Sequence, residues 1–415
     1  MKYTLAQNVW DTFESVTIDV PDEWNLALHG MKGDDMKQLT DEEIRYRIVH
    51  PIGMPPIEEF ARGKQKVCIV FDDMARATPT KQIAHIVLEE LYKADIRKEQ
   101  IVFLCAQGNH GAHNRDDFEA KLGPDIMEDF NVFNHNPFFG LVKVGVNSRG
   151  ADITVNREFY NCDCRIGIGG ITPHLDNAFG GGYKIVFPGL AGFDTTVSNH
   201  DIGSKYRKDN NLDVVGAMGH IENTGMREDV ESMGRMIDNF FKIDVVYNSR
   251  LEILNVTAGD PIKEYYEGVK FARESYATNR VRDKDIVIAN INAKAGESFL
   301  GIQMGLMGVK ESGGILIIVN FNKRGIVTHY LLSQFGRDYG GPYFGGDKVK
   351  NPVGKKFIYF SPYADKNLQS FMGADAPGLW THCRTWSEVL DETARYGPGT
   401  EAALMTDATI QYYVD

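Results

Sequence analysis

No long hydrophobic run interrupts this sequence. Its most apolar stretch, Gly314–Phe321, is far too short to span a bilayer, which takes about 20 apolar residues. Positive charge is also scarce. Against 57 Asp and Glu stand 45 Lys and Arg, a formal net charge of -12. That balance argues against general affinity for nucleic acid or for an anionic membrane surface. Cysteine is sparse too: Cys68, Cys105, Cys162, Cys164 and Cys383 are dispersed and odd in number. Buried free thiols in a reducing cytoplasm are expected, not a disulfide framework. Cys162 and Cys164 make a C-x-C, but the second Cys/His pair of a zinc site is missing. On a strand the two would share one face, as core residues do. The opening residues, MKYTLAQNVW, carry no apolar signal-like run, so a cytoplasmic location is expected. Low-complexity tracts and short-period repeats are absent as well.

What is there is an ordinary globular mixture, 43% hydrophobic and 25% charged. A chain of 415 residues can bury a large core without a disulfide or metal staple, and suggests two or three domains. Short β-branched runs alternate with amphipathic ones. Val67–Phe71, Ile101–Ala106 and Cys164–Ile168 read as strands; Lys81–Tyr92 and Asp116–Leu122 read as helices. Further on, Met226–Phe240 reads as a helix, and Asp244–Tyr247 and Leu251–Val256 as strands. A second block has strands at Asp285–Ile291, Gly314–Phe321, Lys356–Phe360 and Glu401–Met405, with helices near Glu297–Val309, Val327–Phe335 and Ser387–Tyr396. Alternation of this kind predicts two α/β domains with mostly parallel sheets. Asp260-Pro261 supplies an N-cap and a first-turn proline for a charged helix to about Tyr276. The expected partition is a catalytic domain over 1–258, a helical hinge over 259–280 and a smaller domain over 281–415.

In open α/β sheets, function gathers beyond the carboxyl ends of strands. Four clusters meet that expectation. The densest spans residues 169–200, with His174, Asp176, Gly180, Gly181, Gly182, Lys184 and His200. Consecutive glycines let a backbone approach a ligand and can expose N–H groups to an anion. A lysine can pair with that anion or act as a covalent nucleophile, and histidines can bind metal or move protons. The segment is not a P-loop, since the GxxxxGK[ST] spacing is missing. A second cluster places His110 in a glycine-bracketed loop, with His113 three residues on at the start of a helix. That H-x-x-H lacks the glutamate and spacing of the HExxH metal motif, so His110 is read as functional and His113 as a helix-start or surface residue. The third cluster holds Asp72, Asp73 and Arg76, acids for ribose hydroxyls and a guanidinium for phosphate or carboxylate; one of the two aspartates is expected to be structural. The fourth is Lys294, after the first strand of the second block.

Taken together, these segments resemble the lactate racemase family, enzymes that use a nickel-pincer nucleotide. Asp73–Pro79 stands where the family carries a D-x-T-R-P-T-P-like loop, and Gly108-Asn109-His110 where it carries G-x-H-R. His174-Leu175-Asp176-Asn177-Ala178-Phe179-Gly180-Gly181-Gly182-Tyr183-Lys184, followed by Pro188-Gly189, resembles its H-x-x-x-G-F-S-G-G-x-K-x-x-x-P-G motif, with His200 downstream. The resemblance implies an active site in the cleft between the domains. It implies that Lys184 carries the pyridinium mononucleotide through a thioamide and that His200 ligates nickel. His110 and His174 would be paired acid/base residues, one for each face of a 2-hydroxy acid. Asp73, Arg76 and Gly180–Gly182 would hold the cofactor, and Lys294 the substrate. Cofactor-synthesis proteins would be the partners for loading.

This sequence departs from the family at Gly111, where an arginine is usual, at Gly180, where a serine is usual, and at Met74, where lactate-type members have a basic residue. Fewer cations and more space imply an acid larger than lactate, such as a sugar acid. Two other readings are a nicotinamide-type oxidoreductase, which needs GxGxxG after a strand and finds only an echo in Gly167–Gly170, and a binding homologue without the cofactor.

Overall fold

A computed structural model describes residues 1–7, 10, 15–212, 215–219, 225–332 and 355–414. The chain divides into two compact units. The larger comprises Met36–Tyr247 and Glu252–Glu274; the smaller comprises Met1–Asp35, Asn248–Leu251 and Ser275–Asp415.

The larger unit is built on six strands in the order Ile253–Gly259, Phe240–Tyr247, Cys164–Gly170, Val67–Asp72, Ile101–Ala106, Asn131–Asn134. All neighbours are parallel except the first pair. The central strand, VCIVFD, is buried at every position. A strand covered on both faces reads as one apolar run without alternation. Helix Thr80–Lys93 covers the sheet with Ile83, Ala84, Val87 and Leu91 inward, at the 3–4-residue spacing of one helical face. A core of Val70, Leu104, Val186, Phe187 and Leu190 joins the sheet to the segment that carries the glycine loop.

The main sheet of the smaller unit has six described strands, all parallel, in the order Trp380–Cys383, Lys356–Phe360, Ile315–Val319, Ile286–Asn290, Glu401–Met405, Asn25–His29. Its core stacks Ile286, Ile288, Ile315, Ile317 and Leu404. Among the described residues no helix is long and apolar enough to cross a membrane.

Several elements differ from their sequence expectation. Residues 1–35 lie in the smaller unit, because Asn25–His29 completes its sheet beside Glu401–Met405; a continuous block over 1–258 does not describe the contacts. Helix Lys263–Ser275 is no free hinge: Tyr265, Val269 and Ala272 are buried on one side of it, and all but its last residue belongs to the larger unit. The helix expected over 226–240 stops at Gly234. Asn239 takes a left-handed conformation (φ 49°), and the apolar run from Phe240 becomes a strand. The helix expected over 327–335 is absent as far as Leu332, where only a 3₁₀ turn at Tyr330–Leu332 forms. There Gly325 is left-handed, and Ile326 N–H is drawn away to Asp365 at 2.8 Å. Residues 333–335 lie outside the described residues.

Candidate active site

In the larger unit three of the expected residues sit just past the carboxyl ends of parallel strands. Asp73 follows Val67–Asp72, His110 follows Ile101–Ala106, and His174 follows Cys164–Gly170.

The two aspartates have different work. Asp72 accepts from Thr78 Oγ1 at 2.5 Å and from buried Lys121 Nζ at 2.6 Å. Burial pushes its carboxyl up, against the pull of Lys121. Lys121 also donates to Arg76 O at 2.7 Å and Asp73 O at 3.3 Å, stapling the turn between them. Asp73 instead faces His110: its Oδ2 accepts from His110 Nδ1 at 2.5 Å, while Oδ1 accepts Ala75 N–H at 3.1 Å. Burial alone would raise the Asp73 carboxyl. His110, and after it His113, overcome that and hold it well below the usual range. A carboxylate on Nδ1 fixes the tautomer, leaving the imidazole lone pair at Nε2. Arg76 donates Nη1–H to Ala75 O at 3.0 Å.

His174 is oriented the opposite way. Its Nδ1 accepts N–H bonds from Asp176 at 3.1 Å and Asn177 at 3.2 Å. In a neutral ring the proton therefore lies on Nε2, which faces Lys184 Nζ at 3.1 Å and can donate to it only when the lysine amine is uncharged, its nucleophilic form. Asp176 is anchored by Arg207 from helix Phe193–Asp209. Lys184 rides on the 3₁₀ turn Gly182–Ile185. His200, on the same helix as Arg207, has its ring 6.4 Å from that of His174. Its Nδ1–H donates to Thr196 O at 2.9 Å, which leaves Nε2 to act as a ligand or acceptor. Burial, then Lys184 in its protonated form, lowers His200 to about 4, with His110 adding to the effect. The imidazole is neutral at pH 7, as metal ligation requires.

The glycine loop does not offer the open amides its sequence suggests. Gly180 N–H goes to Thr172 O at 2.7 Å and Gly182 N–H to Asp244 Oδ2 at 2.6 Å. Asp244 is itself paired with buried Lys242 at 2.6 Å. Beside it lies Glu264, whose carboxyl burial and then Asp244 push well above the usual range. Arg227 lies over the Tyr265 ring at 3.8 Å and donates to Phe179 O and Gly181 O. Gly181 and Gly182 are left-handed (φ 95° and 59°), and a Cβ there would meet Ile171 at 2.6 Å or Pro261 O at 2.9 Å. Glycine at these two positions serves close approach. Gly180 is different: a Cβ would meet nothing nearer than 3.5 Å, so the serine usual in the family has room.

Two expectations change on this geometry. His113 is no surface residue: its side chain is only 9% exposed and its Nε2 lies 3.5 Å from Asp73 Oδ2. Its H-x-x-H spacing was the signal. Gly167–Gly170 lies inside strand Cys164–Gly170, so it is no strand-to-helix nucleotide loop. The Asp72–Lys121 and Lys242–Asp244 pairs had no sequence signal, since their partners are joined only by folding. Lys294 belongs to the smaller unit, after strand Ile286–Asn290, with its N–H on Thr409 Oγ1 at 3.1 Å.

Parallel α/β units with a histidine–lysine centre beyond the strand ends define the class: an α/β enzyme whose site suits metal or covalent cofactor chemistry. Residues 12–212 match the lactate racemase N-terminal domain. The lactate racemase of Thermoanaerobacterium thermosaccharolyticum is 26% identical over 312 residues, 73% of this chain and 71% of that protein. That of Lactiplantibacillus plantarum is 26% identical over 292 residues, 68% and 66% of the two chains. The apoprotein structure of the Thermoanaerobacterium enzyme superposes with a TM-score of 0.73 over all of both chains, at 20% identity. A structure from Thermotoga maritima gives 0.66 over 91% of this chain and 99% of that one, at 16% identity. Residues 12–212 thus carry the lactate racemase N-terminal domain, and the two sequence relatives support the lactate racemase family for the chain. This supports a racemase function in general.

Proposed function

We propose that the protein is a racemase or epimerase of a 2-hydroxy acid, working with a nickel-pincer nucleotide held on Lys184. The observation that carries this reading is the grouping of Lys184, His174 and His200, with Lys184 Nζ 3.1 Å from His174 Nε2 and the His200 and His174 rings 6.4 Å apart. The residues fit the group. His200 is turned so that Nε2 is its ligating atom, and Lys184 sits on a turn clamped through Gly182 to Asp244. Asp73, Arg76 and Gly180–Gly182 are proposed to border the nucleotide. The loop would do so by close approach, since the amides of Gly180 and Gly182 are engaged inward.

When bound, the group supplies an acceptor for hydride from the substrate carbon. The protein supplies the proton chemistry. His110, with Nδ1–H on Asp73, takes the hydroxyl proton at Nε2, and Asp73 stabilises the imidazolium that results. His174 is the proposed partner for the opposite face and holds its proton at Nε2. Lys294 is the proposed contact for substrate carboxylate, tested by a rise in KM in Lys294→Ala. The losses of cationic positions at Gly111 and Met74 point to a substrate larger than lactate.

The test is protein co-expressed with cofactor-synthesis machinery. The expected outcome is nickel by elemental analysis, an intact-mass adduct lost in Lys184→Ala, and inversion of at least one enantiopure 2-hydroxy or sugar acid. Loaded protein that inverts none of them, or adduct persisting in Lys184→Ala, overturns the reading.

A further inference from the structure

We propose that His113 is a positioning residue of this site: it holds the Asp73 carboxylate from behind, so that His110 keeps its proton on Nδ1 and its lone pair on Nε2. This rests on the reading of His110 as the proton acceptor.

Two histidines converge on one carboxylate oxygen. Asp73 Oδ2 accepts from His110 Nδ1 at 2.5 Å and lies 3.5 Å from His113 Nε2. Asp73 is 3% exposed, and the His113 side chain 9%. Its Nε2 is buried and makes no hydrogen bond of normal geometry among the described residues, and the Asp73 carboxylate 3.5 Å away is the acceptor it faces. The position is built rather than incidental. His113 N–H donates to Asn134 Oδ1 at 3.0 Å, and Asn134 Nδ2 donates back to His113 O at 2.9 Å. The ring packs edge-on to Phe118. On its far side Nδ1 lies 3.7 Å from Asp117 Oδ2, but that oxygen already accepts Asn114 N–H at 3.0 Å in the helix cap.

Each donor on a buried carboxylate weakens it as a proton acceptor, and His113 adds one to Ala75 N–H on Oδ1 and His110 on Oδ2. With His113 on Oδ2, the proton between His110 and Asp73 stays on the imidazole. His110 then forms a full imidazolium when it takes a proton at Nε2. Without His113, Asp73 loses an anchor and the His110 ring loses its fixed tautomer.

The test uses ¹⁵N-labelled, cofactor-free full-length protein. In the wild type, nitrogen shifts are expected to show His113 protonated on Nε2 and His110 protonated on Nδ1. His113 carrying its proton on Nδ1, toward Asp117, overturns the proposal without any variant. In His113→Phe the His110 Nδ1–H signal should shift and broaden, and His113→Gln, which keeps an N–H donor, should restore it. An unchanged His110 signal in folded His113→Phe overturns the proposal. In loaded protein His113→Phe should lower kcat about tenfold with KM unchanged, recovered in His113→Gln. Expected nitrogen shifts in a loaded wild type that racemises nothing would sink the racemase reading, and with it the catalytic role of His113, while upholding its hold on Asp73 and the His110 tautomer.

Discussion

The loops around His110 and His174 are alike in origin and opposite in polarity. Both follow parallel strands of the same sheet, and both present an imidazole at its carboxyl end. His110 is held through a carboxylate on Nδ1, His174 through two backbone N–H groups on Nδ1. The first ring is left with a lone pair at Nε2 and the second with a proton there. A residue type does not define a catalytic role; the group behind the ring does.

The largest effects should separate these two regions directly. His110→Ala should lower kcat about 10²–10⁴-fold in loaded protein. His174→Ala should show first as a smaller fraction of Lys184 carrying the adduct, read by intact mass. Both variants should lose kcat as paired acid/base residues, and full loading of His174→Ala would erase the distinction. Asp73→Asn keeps the shape but presents an N–H₂ group to His110, which reverses its tautomer; kcat should fall on the order of 10²-fold or more, and unchanged turnover would remove the carboxylate from the reaction.

Stability effects come next. Lys121→Met leaves Asp72 buried and unpaired beside the His110 region, at a cost of about 3–5 kcal/mol in denaturant unfolding. Lys242→Met should do the same beneath the glycine loop. A difference between the two would rank how firmly each region is held.

Acid should reach the two regions in different windows. His200 is depressed from 6.5 to about 4, so the unfolded chain takes up its proton first. Its contribution is complete above pH 6.5 and lost as pH falls toward 4. Asp73 is held below its ordinary 3.8, so its contribution is complete above that pH and lost only below it. Thermal unfolding against pH should therefore show a first decline between 6.5 and 4 that is smaller in His200→Gln. The smallest effect is expected for Gly180→Ser, within about 0.5 kcal/mol by thermal unfolding, because a Cβ there meets nothing closer than 3.5 Å. A large loss would show that the Gly180 departure is tied to this chain's own loop.

Much of the fold is legible in the residues. VCIVFD, IVFLCA and ILIIV read as strands because a strand buried on both faces must be apolar throughout. Candidate site residues were legible from their place after such strands. The sequence could not tell Asp72 from Asp73, since both follow the same strand and only Lys121 and His110 distinguish them. It read His113 as a helix-start or surface residue; His113 does stand just before helix Arg115–Leu122, but Asn134 and Asp73 turn it inward. It read the glycine triplet as open amides, and Asp244 closes one of them.

Residue order alone determines where strands, helices and chemical groups fall along the chain, because local periodicity and burial demand it. It does not determine which nitrogen of each histidine carries the proton, or which amides face a ligand. Those follow from donors and acceptors 37 residues away for His110 and 62 for Gly182, which meet only when the parallel sheet brings its strand ends together.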